Sequence, residues 1–506
     1  MLGLLYNFCM MNTQKSLFSY LFPRLRDLVF IIIFYIVLLI GSMLFSDGDP
    51  GRHITAGTYM LENRTIITHD IFSYTMLGDA LTPHEWLAQI VFAMAYLAMG
   101  MNGVVLLTAI VLSSTFTILY NTLLRQKPAP IFALVFTLLA ALATGLHWLA
   151  RPHIFTLLFF TLWTVLLRRI VKGEKTPIAL FPLIMLFWAN THGAFISGFI
   201  AWAAYLGGWF LQNWFSPEKR SRHELVQLLI IGVSSLIVTL LNPVGFKLWQ
   251  TSVGYISNRY LVDLTIEYAS TNFHDAISWP ALVFFAVTLF ALSRGWKKGT
   301  WSDGLILAGW GLLGLYSVRN LPLFVIAATP IVGSFFQTGL SDLSVLVRLE
   351  KKFHDLEFSL HGFLWPVLVI GITGMLLASG VHLDWQREGY KFRENIFPVR
   401  AVDWLDEHPQ SGNMFNEFGW GGYLIYRQWP EKKVFMDGQL DFYGETLTRR
   451  HQQLIKADPG WEQVVEAYGI DWMLVPVDEP IARVLVVHPD WITLYEDDVA
   501  VIFSKR

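Results

Sequence analysis

The sequence predicts an α-helical polytopic membrane protein of about 11 transmembrane helices, followed by a small extracytoplasmic α/β domain. Three observations carry that prediction. The chain holds long apolar runs, its lysines and arginines fall in alternate loops between them, and its composition turns ordinary and soluble near residue 382. Hydrophobic residues make up 54% of the 506 and charged residues only 15%, where a soluble chain carries about 25% charge. Mean hydropathy is +0.46. Such runs need lipid to bury them. A net charge of −2 gives no basic field, which excludes nucleic acid as a partner. The single cysteine, Cys9, excludes an intramolecular disulfide and a cysteine metal site.

The candidate spans run over 28–45, 103–123, 129–147, 154–171, 177–190, 194–214, 225–242, 277–294, 301–317, 321–337 and 363–381. The first, starting at Asp27, is long enough to cross, and the Ser-Asp-Gly-Asp after it is a poor cleavage site, so no signal peptide is expected. The 177–190 run is short and reads as a half-span. The apolar stretch 86–99 is settled by loop charge. Basic clusters occur at Lys15/Arg24/Arg26, Arg125/Lys127, Arg168/Arg169/Lys172/Lys175, Lys219/Arg220/Arg222, Arg294/Lys297/Lys298 and Arg348/Lys351/Lys352. All fall on one side if 86–99 does not cross, and that side is cytoplasmic. The stretch is therefore interfacial or re-entrant. The chain then divides into a cytoplasmic segment 1–27, a membrane domain 28–381 with a long first outer loop 46–102, and an extracytoplasmic domain 382–506. In that last domain, short strand-like runs begin at Lys433, Trp472, Trp491 and Val499, with helical stretches near 398–408 and 460–468 between them.

With sidedness set, the polar groups of the outer face can be gathered. The first loop holds Asp47, Asp49, His53, His69, Asp70, His84 and Glu85; the later outer loops hold His147, Arg151, His153, Asn190, His192, Glu267 and Arg319. Titratable groups at membrane depth are costly and tend to be functional. Each also has a plain structural reading. Asp47-Gly-Asp49-Pro is equally a turn that ends the first span. His53 fits a solvated position on an amphipathic helix over 51–63. His84-Glu85 fits a helix start, where an acid meets the positive dipole end. His192 fits a helix end, and Arg151-Pro-His153 a headgroup anchor. No zinc-type spacing such as His-Glu-x-x-His occurs.

The order of the first loop resembles the GT-C superfamily of polytopic glycosyltransferases: a span, an acidic residue within a few positions, an amphipathic helix, then Pro/Asp-rich turns. Three stretches are also similar to a bacterial membrane family related to that superfamily. They are Asp49-Pro-Gly-Arg-His-Ile-Thr-Ala-Gly; Thr68-His-Asp-Ile-Phe-Ser-Tyr-Thr with His84-Glu85-Trp-Leu-Ala-Gln; and Asn416-Glu-Phe-Gly-Trp-Gly-Gly-Tyr-Leu with Val434-Phe-Met-Asp-Gly-Gln-Leu-Asp-Phe-Tyr-Gly. Two positions depart from the family pattern. Gly51-Arg52 stands where an aromatic is usual, and Asp437-Gly-Gln439 where the family has Asp-Gly-Arg.

The resemblance implies a glycosyltransferase of the bacterial cytoplasmic (inner) membrane. Its donor is a polyprenyl-phosphate-linked sugar, and its acceptor a glycan, lipid or protein on the extracytoplasmic face. Asp49 matches the acidic residue and is the implied base, with Glu85 and His84 sharing that role or orienting the acceptor. Arg151, His153 and Arg319 are the implied phosphate-binding residues. His53, Asn190, His192 and Glu267 are further candidates for the same cavity. No cofactor is expected, but some GT-C-like enzymes need a divalent metal ion. Asp47 and Asp49 are close enough in sequence to share one, while spacing supplies no further ligand. Asp437-Gly-Gln439 reads either as a strand-end turn or as a means of presenting Asp437 and Asp441 to the acceptor. The rival readings are a transporter or flippase of a lipid-linked solute and a non-catalytic scaffold for envelope assembly. The transporter reading finds no inverted repeat and few charged residues in the spans to favour it.

Overall fold

A computed structural model describes residues 18–126, 130–336, 352–355, 357–362, 364–379 and 389–506. Cys9, Lys15, Lys127, Arg348, Lys351 and both ends of the 363–381 span lie outside the described residues. Among those described, six helical segments are long and apolar enough to cross a membrane: Met101–Arg125, Pro130–His147, His153–Val171, Gly193–Phe215, Ala276–Gly295 and Val318–Phe336. The other predicted spans are shorter helices, Leu25–Leu39, Leu180–Thr191, Arg222–Val238, Trp301–Tyr316 and Trp365–Ala378. A 15-residue helix covers only about 22 Å of a hydrocarbon core near 30 Å thick. Among the described residues, full crossings by length therefore number six, and the expected count of eleven depends on the shorter helices being completed by flanking turns.

The long helices stay continuous although polar residues punctuate them. In Met101–Arg125, the hydroxyls of Thr108 and Thr115 donate to the carbonyls of Val104 and Val111 at 2.9 Å, so neither is left unpaired in an apolar setting. The stretch 86–99 forms a single helix, Trp86–Met99, of 14 residues. Gly100 (φ 59°) ends it and turns the chain directly into the next helix. Gly57 and Gly103 admit it closely: a Cβ there would lie 2.0 Å from the Gln89 carbonyl and 1.9 Å from the Ala95 carbonyl. Arg168, counted above in a basic loop cluster, is buried, with its guanidinium on Asp303 and a 3.0 Å bond to Ser334.

In the C-terminal domain four strands form one mixed sheet in the order β1-β2-β4-β3: β1 Asn413–Asn416, β2 Ile470–Pro476, β3 Trp491–Glu496 and β4 Ala500–Lys505. β1 pairs parallel with β2, and β4 lies antiparallel between β2 and β3. Three of the expected strands are present. The fourth, from Lys433, does not join the sheet; Val434 forms an isolated parallel bridge with Ser73. Helices Val399–Glu407 and Trp461–Ala467 lie where expected. Phe418–Gln428, Leu440–Ile455 and Pro480–Val487 are additional helices. The apolar core runs without a break from the membrane helices into this domain, through Met414, Trp420, Tyr423 and Leu424.

Candidate active site

The chain alternates between two ends of the helical bundle. Arg125, Arg168, Arg222 and Arg294 mark one end, while His147, His153, His192 and Arg319 mark the other and line a cavity of about 740 Å³. The segment 46–85 supplies one wall, and the C-terminal domain supplies another through Glu417, Trp420, Gln439 and Asp441.

Asp49 opens the helix Asp49–Asn63, with Pro50 in its first turn, where a fixed φ suits a helix start. Its backbone N–H donates to Asp47 Oδ1 at 3.0 Å, so the two carboxylates are held at one corner. Opposite them, Arg151 reaches in from the turn before helix His153–Val171. Its Nη1 lies 2.6 Å from Asp47 Oδ2 and 2.7 Å from Glu267 Oε1, and its Nη2 lies 2.7 Å from Asp49 Oδ2. Loss of hydration pushes the Asp49 pKa up to about 7; Arg151 opposes that rise, while Asp47, Asp437 and Glu85 add to it. Glu267 is held well below the usual carboxylate range by Arg151 and Arg319, which overcome the desolvation that would raise it. Arg319 Nη1 sits 3.6 Å from Glu267 and 3.3 Å from the Tyr268 hydroxyl, with its guanidinium carbon 5.2 Å from that ring's centroid.

Glu85 occupies a second corner. The Nε2 atoms of His53, His84 and His192 lie 3.8, 3.9 and 3.7 Å from its oxygens. These separations exceed a hydrogen bond. The rings are fixed from behind: His84 Nδ1 donates to the Thr82 carbonyl at 3.1 Å, and His192 Nδ1 is bonded to Thr156 Oγ1 at 2.8 Å. His53 is held neutral, its pKa well below the ordinary value through burial and the nearby Arg52 and Arg151. Asp441 approaches His84 from the C-terminal domain at 3.7 Å.

Nine of the ten residues singled out in the sequence line this cavity: Asp49, His53, His84, Glu85, Arg151, His153, His192, Glu267 and Arg319. The tenth, Asn190, is turned away. Its Oδ1 accepts from Trp86 Nε1 at 2.8 Å, and its amide donates to the carbonyls of Leu186 and Leu241. His153 faces the cavity, but its Nε2 is 2.6 Å from the His147 carbonyl. Glu417 was not anticipated. It stands at the start of helix Phe418–Gln428, accepts from the Gly419 N–H at 3.4 Å, and has its pKa raised to about 7 by desolvation. An acid directly before a helix meets the positive dipole end, a signal hidden here because the glycines that follow it are poor helix formers.

The remaining motif residues build the walls. Asp70 accepts from the Phe72 and Ser73 N–H groups at 3.1 and 3.0 Å and shapes the turn in Thr68–Thr75. Asn416 holds the 434–437 segment, accepting from Phe435 N at 2.8 Å and donating to the Met436 carbonyl at 2.9 Å. Asp437 forms the turn, accepting from the Gln439 N–H at 2.8 Å, and is paired with Arg52 Nε at 2.8 Å. With 5% and 1% of their side chains exposed, that pair ties the first loop to the C-terminal domain and does not face an acceptor. Gln439 accepts a bond from Arg52 as well. The cation absent from position 439 is thus supplied by position 52.

Asp47, Asp49 and Glu267, the carboxylates nearest to forming an ion site, are all turned onto Arg151. Among the described residues no group of three His, Cys, Asp or Glu side chains is placed to hold a metal. The side chains as arranged do not fit a divalent ion.

This architecture shares its fold with archaeal oligosaccharyltransferase structures. The crystal structure of the Archaeoglobus fulgidus oligosaccharyltransferase in the apo form matches with a TM-score of 0.55 and 12% identity, over 89% of this chain and 70% of that one. The archaeal oligosaccharyltransferase AglB from Archaeoglobus fulgidus, in complex with an inhibitory peptide and a dolichol-phosphate, matches with the same score and identity over 89% and 69%. At that identity the likeness is one of fold. No family model and no curated protein matches the chain.

Proposed function

We propose that the chain is a GT-C-type glycosyltransferase. It moves a sugar from a polyprenyl-phosphate-linked donor to a glycan, lipid or protein acceptor on the extracytoplasmic face of the bacterial cytoplasmic membrane. The eleven-span topology, with the N-terminus cytoplasmic and the C-terminal domain outside, belongs to this reading. One observation carries it: the Asp49 carboxylate lines a large cavity together with Arg151, 2.7 Å from it, and Arg319. The lipid phosphate in the archaeal neighbour's complex supports the donor class.

Asp49 accepts the proton of the acceptor hydroxyl as that oxygen bonds to the anomeric carbon. The bond from that carbon to the phosphate oxygen breaks, its electron pair leaves with the lipid phosphate, and configuration inverts. A well-placed base contributes about 10²- to 10⁴-fold. Arg319, with Arg151 behind it, meets the charge growing on the leaving phosphate. Glu85, set among His53, His84 and His192, orients the acceptor. No step passes through a metal ion.

The test uses purified full-length protein with a polyprenyl-phosphate sugar and follows release of the lipid phosphate. Turnover is expected for the natural chain, with Asp49→Asn reduced at least about 100-fold at unchanged folding. Full activity of Asp49→Asn sinks the base assignment. Movement of intact lipid across proteoliposomes without turnover would replace the transferase with a flippase.

A further inference from the structure

Three carboxylates from two distant parts of the chain converge on a single point of the cavity wall, and a guanidinium stands there. Asp47 and Asp49 come from the start of the first outer loop, Glu267 from the loop after helix Arg222–Val238, and each lies within 2.7 Å of an Arg151 nitrogen. Converging carboxylates that would otherwise repel one another are also what holds a hard divalent cation, at about 2.0–2.6 Å from oxygen. Here the oxygens point to N–H groups.

Arg151 is placed to stay. The Ile154 and Phe155 N–H groups bond to the Arg151 and Pro152 carbonyls at 3.1 Å, so its backbone belongs to the opening turn of helix His153–Val171. Its side chain is 19% exposed. A guanidinium cannot lose its proton in a protein and does not exchange with solvent ions. It offers a permanent positive charge beside the path of a leaving phosphate.

We propose that Arg151 is the resident cation of this site, neutralising Asp47, Asp49 and Glu267 in place of a divalent metal ion. The proposal rests on the transferase reading for its purpose, but its test reads ion binding and needs no sugar transfer. Removing the guanidinium leaves three carboxylates with only Arg319, 3.6 Å from Glu267, to balance them. The vacated centre then attracts a divalent ion.

The experiment titrates Mn²⁺ alone into full-length protein in detergent, with bound ion counted by electron paramagnetic resonance. The natural chain is expected to take up no stoichiometric Mn²⁺ at this site. Arg151→Ala is expected to bind one ion at least about tenfold more tightly than any binding by the natural chain, and Arg151→Lys, which keeps the charge, to exclude it. A second titration removes the dependence on one variant folding: the natural chain, with Glu267→Gln as control, is tested directly. One Mn²⁺ bound by the natural chain and lost in Glu267→Gln overturns the proposal, as does folded Arg151→Ala that binds none. Mn²⁺ uptake by the natural chain would leave the transferase reading standing. Absence of transfer would leave the ion result standing.

Discussion

Asp49 sits in the first turn of a helix, where the positive end of the dipole favours a carboxylate by about 0.3–1 kcal/mol. Desolvation and three neighbouring acids outweigh that preference and bring its pKa to about 7. Since the proposed base acts only when ionised, kcat/KM should rise as pH passes upward through about 7 and level off above it. Asp47→Asn removes one of the charges that raise the pKa, so its inflection should move to lower pH. A pH–rate profile of the two proteins checks this, and an unchanged inflection would remove Asp47 from the electrostatics of the base. The residue types of the site were legible because His, Arg and carboxylates are expensive beside apolar spans and stand out there. Their partners were not. Nothing in the sequence distinguishes Arg151, which faces three acids, from a headgroup anchor, or shows that Asn190 is consumed by Trp86 and two carbonyls.

The helices Asp49–Asn63 and Phe418–Gln428 pack through bare backbone. A Cβ on Gly51 would meet the Gly422 carbonyl at 2.7 Å, and one on Gly422 would meet the Gly48 carbonyl at 2.4 Å. Glycine spacing in Phe-Gly-Trp-Gly-Gly thus serves close approach, and local pattern alone does not separate that use from a turn. Lys433–Met436 misled for a related reason. It has strand chemistry, but its partner is the segment Phe72–Tyr74, with Val434 N donating to the Phe72 carbonyl at 3.1 Å. Only the tertiary structure brings the two together. Gly422→Ala should destabilise the protein by about 1–3 kcal/mol, since backbone cannot yield as a flexible side chain does, and should lower transfer by shifting Asp49. Thermal unfolding checks it; an unaltered melting temperature with normal activity would show that the two helices slide apart freely.

Across the whole molecule, loop charge was the strongest sequence signal. It kept Trp86–Met99 from being counted as a span, whereas length does not separate that 14-residue helix from the similarly short Leu180–Thr191 and Trp365–Ala378. Length was a weaker guide, because helices such as Leu180–Thr191 are sheltered by neighbours and need not match the bilayer themselves. Sidedness is open to a direct test. In a chain with Cys9→Ser, a membrane-impermeant maleimide should label Asp498→Cys in cells whose outer envelope alone is permeabilised, and label Glu218→Cys only after the inner membrane is opened. The reverse pattern would put the cavity in the cytoplasm.

Arg52 and Asp437 meet across 385 residues of chain. Asp49 is made early, yet the wall that encloses it, from Glu417 to Asp441, follows only after the helical bundle between them. A nascent chain halted before that point carries the reactive carboxylate without a chamber around it. On the proposed transferase reading, the order of synthesis is its own safeguard: a copy halted before Glu417 has no enclosed cavity in which a lipid-linked sugar could be spent on water.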